Sequence, residues 1–322
     1  MIRLLARRLA FALFLVLAVS SAALMLVRLA PADYVAVTSA GHASAETMAR
    51  ERARLGLDRP FLGQYAGWLA DALRLDFGYS MQYGRPVRDL IPERAANTAI
   101  LAVTALAFAT LVGLPLGVVT GSRRGGALPA AIRAASVVLL SMPPLLTSLF
   151  LVFVAARTGW LPISGMRSAT VPDSGAFLDL LRHLVVPAAA IGLPLAAMLE
   201  RLQSQAMSEV IGEPFVLATL ARGVPRSRIV WRGALKASLR PVAAIYGLVI
   251  GTLLSGSFVV EVITAWPGLG SLMLQALRTR DVFLVAGCAG AGALFLACGT
   301  LVSDLALAAV DPRARDAGAE AA

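Results

Sequence analysis

The sequence predicts an all-α membrane protein with about six transmembrane helices, and three observations carry that prediction. Apolar residues make up 58% of the 322 positions and charged residues only 15%, whereas a soluble domain averages about 45–50% and about 25%. Apolar stretches long enough to cross a bilayer recur six times. The arginines that separate them gather on one side of the membrane once the stretches are threaded through it. Too little polar sequence exists to cover a water-facing surface, and lipid is the solvent that takes the excess.

A run of about 20 apolar residues spans the hydrocarbon core as a helix. The first such run, 9–29, follows the basic leader Arg3, Arg7 and Arg8; the small residues Ser20, Ser21 and Ala22 fit a cleaved signal peptide, but the run is long for a signal core and is read as a retained helix. The second covers 96–119. The third, 132–156, carries Pro143 and Pro144 at its centre, and the fourth, 183–199, is short and contains Pro187 and Pro194. The fifth and sixth cover 241–260 and 283–310. Prolines inside spans serve packing geometry or gating equally well, because neighbouring helices can satisfy the freed backbone groups.

Arginine placement sets the orientation. Arg123, Arg124 and Arg133 follow the second span. Arg201, Arg222, Arg226, Arg228, Arg232, Lys236 and Arg240 lie between the fourth and fifth, and Arg313 and Arg315 follow the sixth. With six spans all of these share the side of the N-terminus, which makes both termini cytoplasmic. Segment 31–95 then lies outside. Its eight Arg are matched by eight Asp and Glu, and it is long enough to translocate regardless of charge. Trp68, Leu69, Leu73 and Leu75 among its charged residues predict a folded extracytoplasmic segment with amphipathic helix. The formal net charge of +10 is thereby assigned to loops at anionic lipid headgroups and not to nucleic acid.

The remaining chemistry is mostly exclusion. Ion-coupled carriers keep ionisable groups near the bilayer midplane, and Arg28, Arg133, Glu200, Glu261 and Asp304 all fall toward predicted helix ends. An ion-coupled secondary transporter remains the alternative reading, since backbone carbonyls can bind sodium. A P-loop needs Gly-Lys-Ser/Thr, and the single lysine, Lys236, lies between Leu235 and Ala237. If ATP drives this protein, another chain binds it. His42 and His183 have no partner at metal-ligand spacing, and Cys288 and Cys298, ten positions apart, are separated by about 15 Å along a helix. No catalytic, cofactor-binding or metal-binding residue is assigned.

The most informative segment is the loop at about 202–240. Pro214 suits a first helical turn with Glu213 at its positive end. Phe215, Leu217 and Leu220 offer an apolar face, and Gly223 with Pro225 ends the helix. Such a short helix either lies along the headgroups or docks on a partner protein.

This loop resembles the EAA loop of ABC importer permeases, and Glu209-Val-Ile-Gly-Glu213 with Ala221-Arg-Gly223 resembles the version in the dipeptide/oligopeptide/nickel permease family. Arg54-Leu-Gly-Leu-Asp-Arg-Pro60, Phe77-Gly-Tyr-Ser80 and Gly84-Arg-Pro-Val87 are similar to the family's extracytoplasmic segment. Trp266-Pro-Gly-Leu-Gly270 with Arg280-Asp281, and Asp311-Pro-Arg313 with Asp304 upstream, are similar to its later signatures. The segments occur in family order over most of the chain. One departure stands out: Leu217 and Leu220 make the short helix more apolar than the basic version usual in peptide permeases, which weakens any specific salt bridge there.

The resemblance implies a type-1 ABC importer permease fold in the bacterial inner membrane. It divides the chain into an N-terminal helix (1–30), an extracytoplasmic segment (31–95), a permease domain (96–311) and a tail (312–322). It implies that Glu213, Pro214, Leu217, Ala218, Leu220, Ala221 and Gly223 couple to an ATPase, and that Trp266, Pro267, Gly268 and Gly270 form a turn near the outer gate. Trp266 would favour the membrane interface. Implied partners are a second permease, two ATP-binding subunits or domains that use the ATP, and an extracytoplasmic solute-binding protein, all within membrane lipid. Peptides are the first implied substrate, with nickel chelates, glutathione or small sugars as alternatives.

Overall fold

The basic leader and its apolar run form one continuous helix, α1 (Ile2–Leu29), with Arg28 in the last turn. The computed structural model describes residues 2–310 apart from 40–42, 59, 75, 124, 169–171 and 173–174; of these, the side chains of 2–5, 61, 62, 248, 252, 254, 255 and 303–310 are not described. Arg124, His42, Asp311, Arg313, Arg315 and the side chain of Asp304 therefore lie outside the described residues.

Short helices follow where the sequence turns polar. Asp33 caps α2 (Tyr34–Thr38) by accepting from the Ala36 N–H. Ser44 caps α3 (Ala45–Arg54), with Glu46 in its first turn and Arg52 and Arg54 in its last, so cap and charges both match the helix ends. α4 is Phe61–Ala72. The long α5 (Val87–Ser122) then contains the second predicted span.

The third predicted span is not one helix. α6 (Ala127–Ser141) and α7 (Pro144–Thr158) meet at a bend of 107°. Pro144 starts α7 at its first turn, where its missing N–H costs nothing, and Pro143 caps it in an extended conformation. The fourth span is corrected in the other direction: α8 (Ala176–Ile211) runs for 36 residues straight through Pro187 and Pro194. α9 (Pro214–Ala221) follows. α10 (Arg226–Arg228) passes through a π-turn at Ile229–Ala234 into α11 (Leu235–Ile263). α12 (Leu269–Thr279) and α13 (Val282–Val310) complete the described chain. Among the described residues four helices are long and apolar enough to cross a membrane, or up to six if each bent pair is one span.

Two compact units interleave along the chain, Met1–Ala99 with Pro267–Ala297, and Ile100–Trp266 with Cys298–Ala322. In the first, Trp68 of α4 packs with Leu24 of α1, Ala72 and Ala286 of α13, so the polar segment shares its core with apolar helices. The centre of this unit is Asp281, which is fully buried. Its Oδ2 accepts from Ser80 Oγ at 2.6 Å and from the Gln82 N–H at 3.0 Å, and its Oδ1 accepts from the Leu284 N–H at 3.2 Å. One carboxylate thus pins the turn at 77–87 to the start of α13, joining two segments that lie far apart in sequence.

In the second unit α8 is the central element, and its buried face includes Leu184, Ala188, Ile191, Leu195 and Leu199. Three glycines of α5 permit its approach. A Cβ at Gly113 would lie 2.5 Å from the Ala196 carbonyl oxygen, and one at Gly117 would lie 2.6 Å from the Glu200 carbonyl oxygen. A Cβ at Gly121 would collide with the Ser204 carbonyl. Polar bonds join α8 to both neighbours at this level: Thr120 Oγ1 of α5 donates to Glu200 Oε1 at 2.5 Å, and Gln203 Nε2 donates to Ser238 Oγ of α11 at 2.8 Å. Glu200 is 1% exposed. Because α8 continues to Ile211, Glu200 lies well inside a helix and not toward its end as the shorter span predicts.

Three substitutions test the packing of the two units. Gly117→Ala drives a methyl into backbone oxygen, so it is expected to cost about 1–3 kcal/mol and to lower Tm in detergent. Gly67→Ala, where nothing lies within 4 Å, should leave Tm unchanged or raise it. Asp281→Ala should release the 77–87 turn, read as faster limited proteolysis there than in the wild type. An unchanged cleavage pattern would show that the carboxylate does not hold the turn.

Candidate functional site

The site is built where α8 stops. Gly212 caps α8, its N–H bonding to the Glu209 carbonyl, and the chain turns into α9 with Glu213 extended at the N-cap (φ −70°, ψ 145°) and Pro214 as the first helical residue. After eight residues α9 ends at Ala221, and Gly223, just past the cap, has φ +78°. The Gly223 N–H bonds to Leu220 O at 2.9 Å and the Val224 N–H to Thr219 O at 3.4 Å. This pair is the Schellman pattern, which places its C′ residue in the left-handed region that glycine enters without penalty. A Cβ on Gly223 would meet nothing within 4 Å. The requirement for glycine is therefore one of backbone conformation and not of space.

Val216 is the anchor of α9, at 1% exposure. Nearby, Val118, Met207, Val230 and Ala234 form a small core joining α5, α8 and the π-turn. The π-turn lies against α9, and in α10 just before it Arg226 Nη2 donates to the Ser122 carbonyl at the end of α5 at 2.9 Å. A cation at a helix C-terminus satisfies an orphan carbonyl and complements the dipole. The site is thus fixed to α5 and α8 together.

What α9 presents outward is apolar. Phe215 is 47% exposed, Leu217 58% and Leu220 39%, with Trp231 of the π-turn at 47%. Glu213, Pro214, Ala218 and Ala221 are exposed as well. No residue of α9 carries a charge, yet exposed Arg222, Arg226, Arg228, Arg232, Lys236 and Arg240 follow it. An apolar patch rimmed by charge marks a surface that another body covers.

The four residues assigned to the other turn behave differently. Trp266 is fully buried and belongs to the core of the second unit, its N–H donating to the Glu261 carbonyl at 2.8 Å. The expectation of a tryptophan at the membrane interface is therefore corrected: its ring is packed in protein. Pro267 and the two glycines belong to the first unit. There the Pro267 carbonyl accepts from Asn97 Nδ2 at 2.9 Å, Gly268 caps α12, and the Leu269 N–H donates to Thr98 Oγ1 at 2.8 Å. Gly268 and Gly270 are buried. Within that unit this segment is a turn held by the side chains of α5.

Sequence reading missed Gly113, Gly117, Gly121, Thr120, Gln203 and Ser238. A signal for the glycines exists, since four-residue spacing of small residues in an apolar stretch marks close helix packing. The polar partners carry no local signal, because Thr120 and Glu200 meet only once α5 and α8 are in register.

Residues 113–316 match the family described as binding-protein-dependent transport system inner membrane component, and residues 1–102 match the N-terminal region described for such membrane components. The chain is 31% identical over 310 residues to the dipeptide transport system permease protein DppB of Escherichia coli K12, covering 90% of this chain and 91% of that one. It is 31% identical over 262 residues to the oligopeptide transport system permease protein AppB of Bacillus subtilis, covering 81% and 82%. In fold it is similar to a chain of the inward-facing MetNI methionine ABC transporter, with TM-score 0.54 and 18% identity, covering 69% of this chain and 96% of that one. The chain belongs to the family of binding-protein-dependent transport system inner membrane components, the permeases of ABC importers.

Proposed function

We propose that this permease forms half of the translocation pathway of an ATP-driven importer for peptides or similar small solutes, and that α9 couples it to an ATP-binding partner. The exposed apolar face of α9, on a helix clamped at both ends, is the observation that carries the reading. Exposed Phe215, Leu217 and Leu220 cost free energy in water, by about 25 cal/mol per Å² of apolar surface. Seating them in a partner's groove removes that cost. The relatives named for dipeptide and oligopeptide transport supply the substrate class.

In this reading a second permease encloses the other half of the pathway, and an extracytoplasmic binding protein delivers the solute. ATP closes two partner subunits or domains. Their motion reaches α8 and α11 through α9 and the π-turn, a two-state element biased by a ligand on another chain. This chain hydrolyses nothing. Both termini lie in the cytoplasm, as does α9, because the arginines after α9 and the leader share one side of the membrane.

Gly223 gives the direct test. A β-branched residue in the left-handed region is strained by about 1–2 kcal/mol, whereas Asn tolerates it. Gly223→Val in the reconstituted importer should lower transport per ATP hydrolysed about fivefold or more, with membrane insertion unchanged. Gly223→Asn should stay near the wild type. Normal coupling by a well-inserted Gly223→Val protein would contradict the role given to α9.

A further inference from the structure

The unit that holds the N-terminus contains a cavity of about 280 Å³, lined by the end of α1, the start of α2, Arg52 and Leu57 at the end of α3, and the turn between α12 and α13. Four charged side chains line it: Arg28, Asp33, Arg52 and Arg280. All four are half-buried.

Their charges do not balance. Arg52 Nε donates to Asp33 Oδ2 at 2.6 Å, and the other Asp33 oxygen accepts from the Ala36 N–H at 2.8 Å. Burial alone would raise the Asp33 carboxyl, but the bonds from Arg52 and Ala36 outweigh it and hold the group below its ordinary value, as a carboxylate. Arg28 Nη2 donates to a neutral acceptor, the Leu57 carbonyl, at 2.9 Å. Arg280 makes no ion pair or side-chain hydrogen bond among the described residues. The adjacent Asp281 is turned inward to Ser80, Gln82 and Leu284, and Glu51 is paired with Arg54. Three cations therefore face one anion.

Backbone strain falls in the same place. Among the described residues three non-glycines have positive φ, and two of them, Ala32 at 69° and Arg280 at 59°, line this cavity. At Arg280 the conformation closes α12 as a left-handed cap, with its N–H bonded to the Leu277 carbonyl and the Asp281 N–H to the Ala276 carbonyl, which fixes the residue at the cavity wall. Val27 and Arg28 close the span Ala6–Leu29, and Val282 opens the span Val282–Val302. The cavity thus lies at the depth where two spans leave the apolar layer.

We propose that this cavity binds an oxyanion between Arg28 and Arg280, with Arg52 held beside them by Asp33. Guanidinium groups suit the planar, bidentate recognition of phosphate and carboxylate. At this depth two sources supply one: the headgroup phosphate of an anionic lipid, and the carboxylate of a free solute.

Native mass spectrometry of the full chain, equilibrated with phosphatidylglycerol or phosphatidylcholine in mild detergent, tests the lipid source. Thermal unfolding with inorganic phosphate or dialanine, without added lipid, tests the free one. The wild type should either retain one phosphatidylglycerol with about tenfold preference or rise in Tm with the free anions. Arg28→Gln with Arg280→Gln should abolish whichever response is seen. Arg74→Gln with Arg85→Gln, which removes the same charge from exposed positions, should leave it intact. If the double variant does not fold, Arg280→Gln alone should weaken the response and Arg280→Lys restore part of it. No lipid preference and no rise in Tm in the wild type would overturn the proposal, as would equal responses from wild type and Arg280→Gln.

Discussion

Backbone contact between α5 and α8 is the constraint on which the second compact unit depends. Gly113, Gly117 and Gly121 recur every fourth residue and leave no room for a side chain against the carbonyls of Ala196, Glu200 and Ser204. In lipid, apolar burial gives no driving force between helices, so association rests on close packing and interhelical hydrogen bonds. The glycines supply the first. The bonds from Thr120 to Glu200 and from Gln203 to Ser238 supply the second. Between α5 and α8 the first serves the second, because Thr120 reaches Glu200 only where the two helices lie close.

From that register the position of α9 follows. α8 extends past these polar bonds to Ile211, and α5 ends at Ser122, where Arg226 captures its last carbonyl. α9 is bounded by two backbone devices that suit rigid transmission, proline in the first turn and a left-handed glycine at the end. A push on Phe215, Leu217 or Leu220 therefore meets a short lever with little freedom at either end. Its apolar face without charged residues departs from a basic version of the helix. This points to docking by desolvation more than by ion pairing.

Much of this was legible in the sequence, and the failures have physical causes. Helix α9 was predicted with its ends in place because Pro214 and Gly223 act locally, through φ alone. Span 132–156 looked continuous because hydropathy registers composition and not direction, while Pro143 and Pro144 set a bend of 107°. Span 183–199 looked short because Glu200 and Arg201 read as a boundary. Yet a buried Glu can continue a helix when a partner such as Thr120 waits in another one. Trp266 read as an interfacial residue by type, but its burial is decided by the tertiary core. Asp281 with Ser80 lay beyond sequence reading, since their contact spans 201 positions.

The central claim is that this permease works only as part of an assembly driven by ATP on another chain. Co-purification of the tagged protein in mild detergent, followed by mass spectrometry of the bound proteins, tests it most directly. The account expects a P-loop ATPase and a second multi-span permease in near-equal amount. Recovery of the chain alone, intact, monodisperse and still able to move solute in sealed vesicles under an ion gradient, would contradict it.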